Sequence, residues 1–200
     1  MIKSPYQGKL FSQWKKITEK LVEDHPFAPK KITKVILDAW DSILSTSIGG
    51  QFVIGKHIFP KPQIMGFFLH ELIPLQLEKT APKKWKRDCS SGEKDIVYIP
   101  NSMYSVEIKT SSDKTKVFGN RSFAEGASSG KKAKSGYYLC VNFESFYDEK
   151  KVLRTPRIWL IRFGWIDSSD WIGQKASTGQ QARLPNEVYE GKLITIFKKD

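Results

Sequence analysis

Lys94-Asp95-Ile-Val-Tyr-Ile-Pro-Asn-Ser-Met-Tyr-Ser-Val-Glu107-Ile-Lys109 is the stretch whose reading decides the fold. Asp95 to Ile99 has the composition of a strand, Pro100-Asn101-Ser102 is turn chemistry, and Met103 to Lys109 alternates again. Together they predict an antiparallel hairpin. Alternate side chains of a strand share a face. Val106 and Ile108 should therefore enter the core while Glu107 and Lys109 point together to the other side. The hairpin returns Asp95 towards Glu107, so two carboxylates and an ammonium are expected to converge.

Downstream, Tyr137 to Phe143 and Arg157 to Phe163 are almost continuously apolar, as strands covered on both faces are. They should hold the central positions of a sheet. Residues 110 to 136, rich in Ser, Gly and Lys, read as a long loop with a short helix. Residues 165 to 187 read as polar and irregular, and Lys192 to Phe197 as a closing strand.

Upstream, residues 10 to 23 and 30 to 44 read as helices separated by Pro26 and Pro29. In the second, Ile32, Val35, Ile36, Ala39, Trp40 and Ile43 form one apolar stripe. Ser47 to Gly50 is a turn before a short strand-like run at Phe52 to Ile54. Residues 63 to 72 read as a largely buried helix, which Pro74 is expected to kink or end. The order of elements predicts an α/β fold, a central mixed β-sheet flanked by helices. It is expected to be one domain: a mainly helical N-terminal region (1–60), a core (61–164), and a loop with a closing strand (165–200).

The 200 residues carry 33 Lys and Arg against 21 Asp and Glu, a formal charge of +12. A field of that sign attracts polyanions, nucleic acid first among them. The longest charge-free run, Ser42 to Gly55, contains three glycines and is too short to span a bilayer. The first nine residues hold no apolar run of signal-peptide length, and two cysteines make no disulfide framework. A cytoplasmic protein is expected. His25, His57 and His70 are too scattered for a zinc site, and there is no Cys-x-x-Cys. His70, Trp40, Trp159, Trp165 and Cys140 read as packing residues. No phosphate-cradling glycine loop or nucleophile elbow is present.

The Asp95, Glu107 and Lys109 grouping suits phosphodiester hydrolysis. Neighbouring carboxylates repel and want a cation between them. Hard oxygen ligands select Mg²⁺, which accepts phosphate oxygens and supplies hydroxide; the carbonyl of Ile108 is a further candidate ligand. Lys109 is placed to steady the attacking water or the developing charge. The pattern acid-x-Lys is not specific alone: this composition gives about three by chance, and four occur. Context separates them. Asp148-Glu-Lys150 and Glu149-Lys-Lys151 lie in a hydrophilic turn and Glu190-Gly-Lys192 at a strand start. Only Glu107-Ile-Lys109 lies within an alternating strand with an acid one hairpin arm upstream. The bland alternative is a salt bridge on a half-exposed hairpin.

With these residues in view, the sequence resembles the PD-(D/E)XK nucleases, whose pattern is an acid at a strand start, a hairpin, then acid-x-Lys. Lys94 stands where that family usually has proline. The resemblance implies a restriction-endonuclease-like core and, by order along the chain, makes Glu71 a candidate extra metal ligand. Ile58 to Leu75, Val106 to Ser112, Phe118 to Ser122 and Phe163 to Asp167 further resemble the ScaI-type restriction endonucleases, over residues 30 to 195 or so. That resemblance implies a Type II enzyme: a homodimer cutting both strands of palindromic double-stranded DNA, partnered by a cognate DNA methyltransferase acting on the same site. It fixes neither the recognition sequence nor the stagger of the cut.

A site-specific cutter also needs groups that meet base edges. Asn and Gln pair bidentately with adenine, and Arg or Lys with guanine. Two segments offer this mixture: Lys114, Lys116, Asn120, Arg121, Lys131, Lys132 and Lys134 in the first, and Gln174, Lys175, Thr178, Gln180, Gln181 and Arg183 in the second. The second reads as a glutamine-rich irregular loop; a solvated surface loop is the bland alternative for both. Two rival functions remain open from sequence: a structure-specific nuclease such as a junction resolvase or mismatch nickase, and a DNA-binding protein without catalysis.

Overall fold

The computed structural model describes residues 3–124, 134–176 and 178–199. Helices α1 (Phe11–Glu23) and α2 (Pro29–Ser45) open the chain, followed by a two-stranded hairpin, β1 (Ser47–Ile48) and β2 (Phe52–Val53), and helix α3 (Pro62–Thr80). Then come β3 (Trp85–Arg87), β4 (Ile96–Tyr98), β5 (Val106–Ser111), β6 (Phe118–Asn120), β7 (Gly136–Phe143) and β8 (Ile158–Ile166). The chain closes with β9 (Ile172–Gly173), β10 (Gln181–Arg183), helix α4 (Asn186–Gly191) and β11 (Leu193–Lys198). No helix of the described residues is long and apolar enough to cross a membrane.

The central sheet has six strands in the order β11-β8-β7-β5-β4-β3. The β5–β7 pair is parallel and the others are antiparallel, so the sheet is mixed. Strand β7 shows why it is central. Tyr137, Leu139, Val141 and Phe143 alternate into one hydrophobic core, while Tyr138 and Cys140 enter a second core on the opposite face. The first core is filled by α1, α2 and α3 through residues such as Val22, Ile32, Ile36, Leu69 and Ile73. The second is smaller and is roofed by Trp171, Ala182, Leu184 and Val188.

Four expectations need correction. Helix α3 does not end at Pro74 but continues to Thr80. Proline removes one backbone donor, and burial of Ile73, Pro74 and Leu77 on the same helix offsets that loss. The second hairpin arm begins at Val106 rather than Met103, because Ser102–Tyr104 forms one 3-10 turn whose start is capped by the Asn101 side chain accepting from the Met103 N–H. Residues 165 to 187 are not irregular, and residues 110 to 136 are not simply a loop. They supply β6, β9 and β10, which join in a separate three-stranded sheet of order β6-β10-β9. Strands of two or three residues are too short to show a period, so alternation in the sequence could not reveal them.

Candidate active site

Strands β4 and β5 pair only through Ile96 and Val106 and then part. Asp95 spans the opening: its Oδ2 accepts the Ile108 N–H at 2.6 Å. Within β5 the expected alternation is present. Val106 and Ile108 are sealed in the helical core, and Glu107 and Lys109 leave on the other side. Glu107 is nevertheless only 3% exposed. Its Oε1 accepts from Lys109 Nζ at 2.8 Å, and its Oε2 lies 3.9 Å from Lys94 Nζ. Lys109 Nζ also donates to the Ile108 carbonyl at 3.2 Å. Two oxygens of adjacent residues therefore already share one cation.

Aromatic rings line this charged group. Lys109 Nζ sits 4.4 Å from the centre of the Phe123 ring and Lys94 Nζ 4.9 Å from that of Tyr138. Burial, and after it the Glu107 carboxylate, raises the Tyr138 phenol well above its ordinary pKa, so the ring stays neutral beside the acid. Lys94, Phe123 and Tyr138 were not singled out by sequence reasoning. Lys94 alone left a signal, as the lysine standing where the resemblance leads one to expect proline.

Helix α3 brings the wall of the site. Gly66 lets it approach β5 closely, for a Cβ there would stand 2.6 Å from Thr110 Oγ1. One turn on, His70 Nδ1 lies 3.7 Å from Asp95 Oδ2. Glu71, the sequence candidate on this helix, is exposed and makes no hydrogen bond or ion pair with Asp95 or Glu107. Successive helical residues are about 100° apart, so only one of the two can face the strand, and it is His70. Gly66, His70, Thr110, Phe118 and Gln181 border an open cleft of about 600 Å³.

The donor chemistry fits a hard divalent cation. Two carboxylates and a backbone carbonyl are oxygen ligands, and Mg²⁺ is commonly held by one or two carboxylates while keeping several waters. Among the described residues no group of three or more His, Cys, Asp and Glu is assembled as a ready-made metal cage.

The expected DNA-contact residues fall in several different settings. Lys114 and Lys116 are exposed on a loop fastened to the sheet. Asn142 Nδ2 donates to the carbonyls of Asp113 and Lys116, and Arg162 donates to Asn142 Oδ1 and to the Thr115 carbonyl. Asn120, Gln174, Lys175, Thr178, Gln180, Gln181 and Arg183 are exposed on or beside the small sheet. Arg121 differs: its Nη1 donates to the carbonyls of Ala176 (3.1 Å) and Gly179 (3.2 Å), and its backbone N–H to the Gln180 carbonyl. It ties the two segments together. Lys131 and Lys132 lie outside the described residues, and Lys134 is half-buried.

The ScaI restriction endonuclease family matches residues 4–197. The chain belongs to that family. It is 46% identical over 194 residues to the Type II restriction enzyme ScaI of Streptomyces caespitosus, covering 96% of this chain and 84% of that enzyme. No solved structure matches. Family membership accords with the mixed central sheet.

Proposed function

We propose that this chain is a Type II restriction endonuclease that hydrolyses phosphodiester bonds of double-stranded DNA at a specific, palindromic site with Mg²⁺ as cofactor. The observation that carries this reading is the buried Glu107 carboxylate sharing the Lys109 ammonium with the Ile108 carbonyl, with Asp95 on the Ile108 N–H and the next residue of β5, Thr110, on an open cleft. Asp95, Glu107 and the Ile108 carbonyl would hold the metal, which when bound would polarise the scissile phosphate and lower the pKa of a bound water.

The protein's own groups do the rest. Asp95 holds the β5 backbone at Ile108 and so fixes the carbonyl beside Glu107. Lys109, on the flexible end of its stem, orients the attacking water and stabilises negative charge developing on the phosphoryl oxygens. Phe123 and Tyr138 limit water around the ammonium groups and strengthen their pull. Lys114 and Lys116 hold the DNA backbone by charge. Among the described residues one chain carries one such constellation, and one constellation cuts one strand. The working enzyme is therefore a homodimer on a two-fold site. A cognate methyltransferase protects the same sequence in the host cytoplasm.

Plasmid digestion tests the reading. Discrete fragments with Mg²⁺ that vanish with EDTA are expected. Smearing, cutting confined to branched DNA, or no cutting at all would overturn it.

A further inference from the structure

The small sheet has two sides of different character. Gly119 and Ala182 are buried against the second core, while Phe118, Asn120, Gln181 and Arg183 alternate with them and are exposed. A Cβ on Gly119 would meet the Phe123 and Trp171 rings at 3.1 and 3.2 Å, so the ribbon is seated directly on those rings. Its register is fixed: Asn120 lies opposite Gln181, Phe118 opposite Arg183, and Arg183 opposite Ile172. The outer face thus presents an amide facing an amide, and next to them a guanidinium between two apolar side chains. Phe118 and Gln181 border the same cleft as His70 and Thr110.

We propose that this outer face is the base-reading surface of the enzyme, with Asn120 and Gln181 as a specificity-determining pair. The inference rests on the reading of the chain as a site-specific DNA nuclease. Each amide offers a donor and an acceptor side by side, the arrangement that pairs bidentately with the N6 and N7 edge of adenine. Arg183 matches the N7 and O6 edge of guanine, and Phe118 and Ile172 supply apolar contact of the kind thymine methyls accept. A ribbon of this width fits a major groove of about 12 Å. Side chains directly opposite on antiparallel strands lie about 5 Å apart, close enough for the pair to address adjacent base pairs. Gln174 and Arg121 do not belong to the reading set. Gln174 Oε1 accepts the Gln181 N–H at 3.3 Å, and Arg121 holds the carbonyls of the hairpin tip.

The test begins with sequencing the ends of plasmid fragments cut by the unaltered enzyme, which defines the recognition site. Cleavage rates of Asn120→Ala and Gln181→Ala are then measured on that site and on every single-base variant of it. Affinity for unrelated duplex is measured in parallel, and thermal melting confirms folding. Each substitution is expected to lower the rate on the true site roughly 5- to 100-fold and to flatten discrimination at one base pair per half-site. Non-specific affinity and its salt dependence should hold. Placing 7-deaza-adenine at that base pair should cost the unaltered enzyme as much and cost the variant little. Unchanged discrimination, or equal losses on all sequences, would overturn the proposal while leaving the nuclease reading intact. Failure of the unaltered enzyme to give discrete fragments would overturn both.

Discussion

The two faces of the central sheet are built to different ends. The helical face is dry and aromatic. His25 shows how far that goes: it lies among Phe27, Trp85, Tyr104, Tyr137 and Phe163, and its Nδ1 accepts the Phe27 N–H while Nε2 faces the Tyr104 carbonyl. The Phe27 N–H needs an unprotonated Nδ1 and the Tyr104 carbonyl a proton on Nε2, so together they select the neutral Nε2–H tautomer. The opposite face holds charge under partial cover. Glu107, Lys109 and Lys94 sit there, as does Arg162 with Asn142, while Lys192 joins Asp167 and Asp170 beside the Tyr6 and Trp14 rings of the helical side. Such pairs add little net stability. Their use is placement: they fix the β5 edge, the 112–117 loop and the root of the β9–β10 hairpin. On the proposed reading one face supplies stability and the other supplies chemistry, and variants should separate accordingly.

The largest expected effect is on the charged face. Glu107→Gln should lower cleavage by about 10²- to 10³-fold, with DNA affinity in Ca²⁺ little changed. Single-turnover rates and gel-shift titrations measure both, and an equal fall in binding would assign Glu107 to structure. On the helical face, Ile36→Ala should cost about 2–5 kcal/mol of stability through the cavity it leaves, since Ile36 is fully buried. Its cleavage rate at a permissive temperature should be near normal. Urea unfolding monitors the first and a timed digest the second; a rate loss on the scale of Glu107→Gln would erase the proposed division.

Acid should act through the helical face. Burial lowers His25 from 6.5 to about 4, more than the Tyr104 carbonyl raises it. Between those values the unfolded chain binds a proton that the folded one refuses. The stabilisation is therefore complete above pH 6.5 and lost as pH falls towards 4, at a cost of about 3 kcal/mol. Comparing urea midpoints of the native chain and His25→Asn across that range isolates the contribution; identical slopes would count against it. The smallest effect is expected at Arg121. Arg121→Ala frees the hairpin tip, so specificity should loosen and the cognate rate fall about 5-fold for a local loss of about 1 kcal/mol. Global unfolding should barely shift. A large drop in melting temperature would mean that the ribbon is part of the core rather than mounted on it.

Much of the β5 edge, the proposed catalytic centre, was legible in the sequence because it rests on long-period signals. The stripe of α2, the apolar runs of β7 and β8, and the alternation from Val106 to Lys109 each reflect burial repeated over several residues. Those signals place Asp95, Glu107 and Lys109 at one strand edge. The small sheet proposed to read DNA was not legible. Its strands are two or three residues long, come from segments more than fifty residues apart, and are paired by register rather than by pattern. Glu71 and His70 could not be ordered for a related reason: α3 is apolar on most of its circumference, so its sequence does not say which side meets β5. Arg121 is ambiguous by residue type, and its contacts with the carbonyls of Ala176 and Gly179 appear only in the fold.

The most direct measurement is the single-turnover cleavage rate of Lys109→Ala on plasmid DNA with Mg²⁺, beside its affinity for the same DNA in Ca²⁺. If the β5 edge is the catalytic centre, cleavage falls by about a hundredfold or more while binding is retained. Cleavage at the unaltered rate would contradict the account, because the ammonium now joining Glu107 and Ile108 would then have no part in cutting the strand.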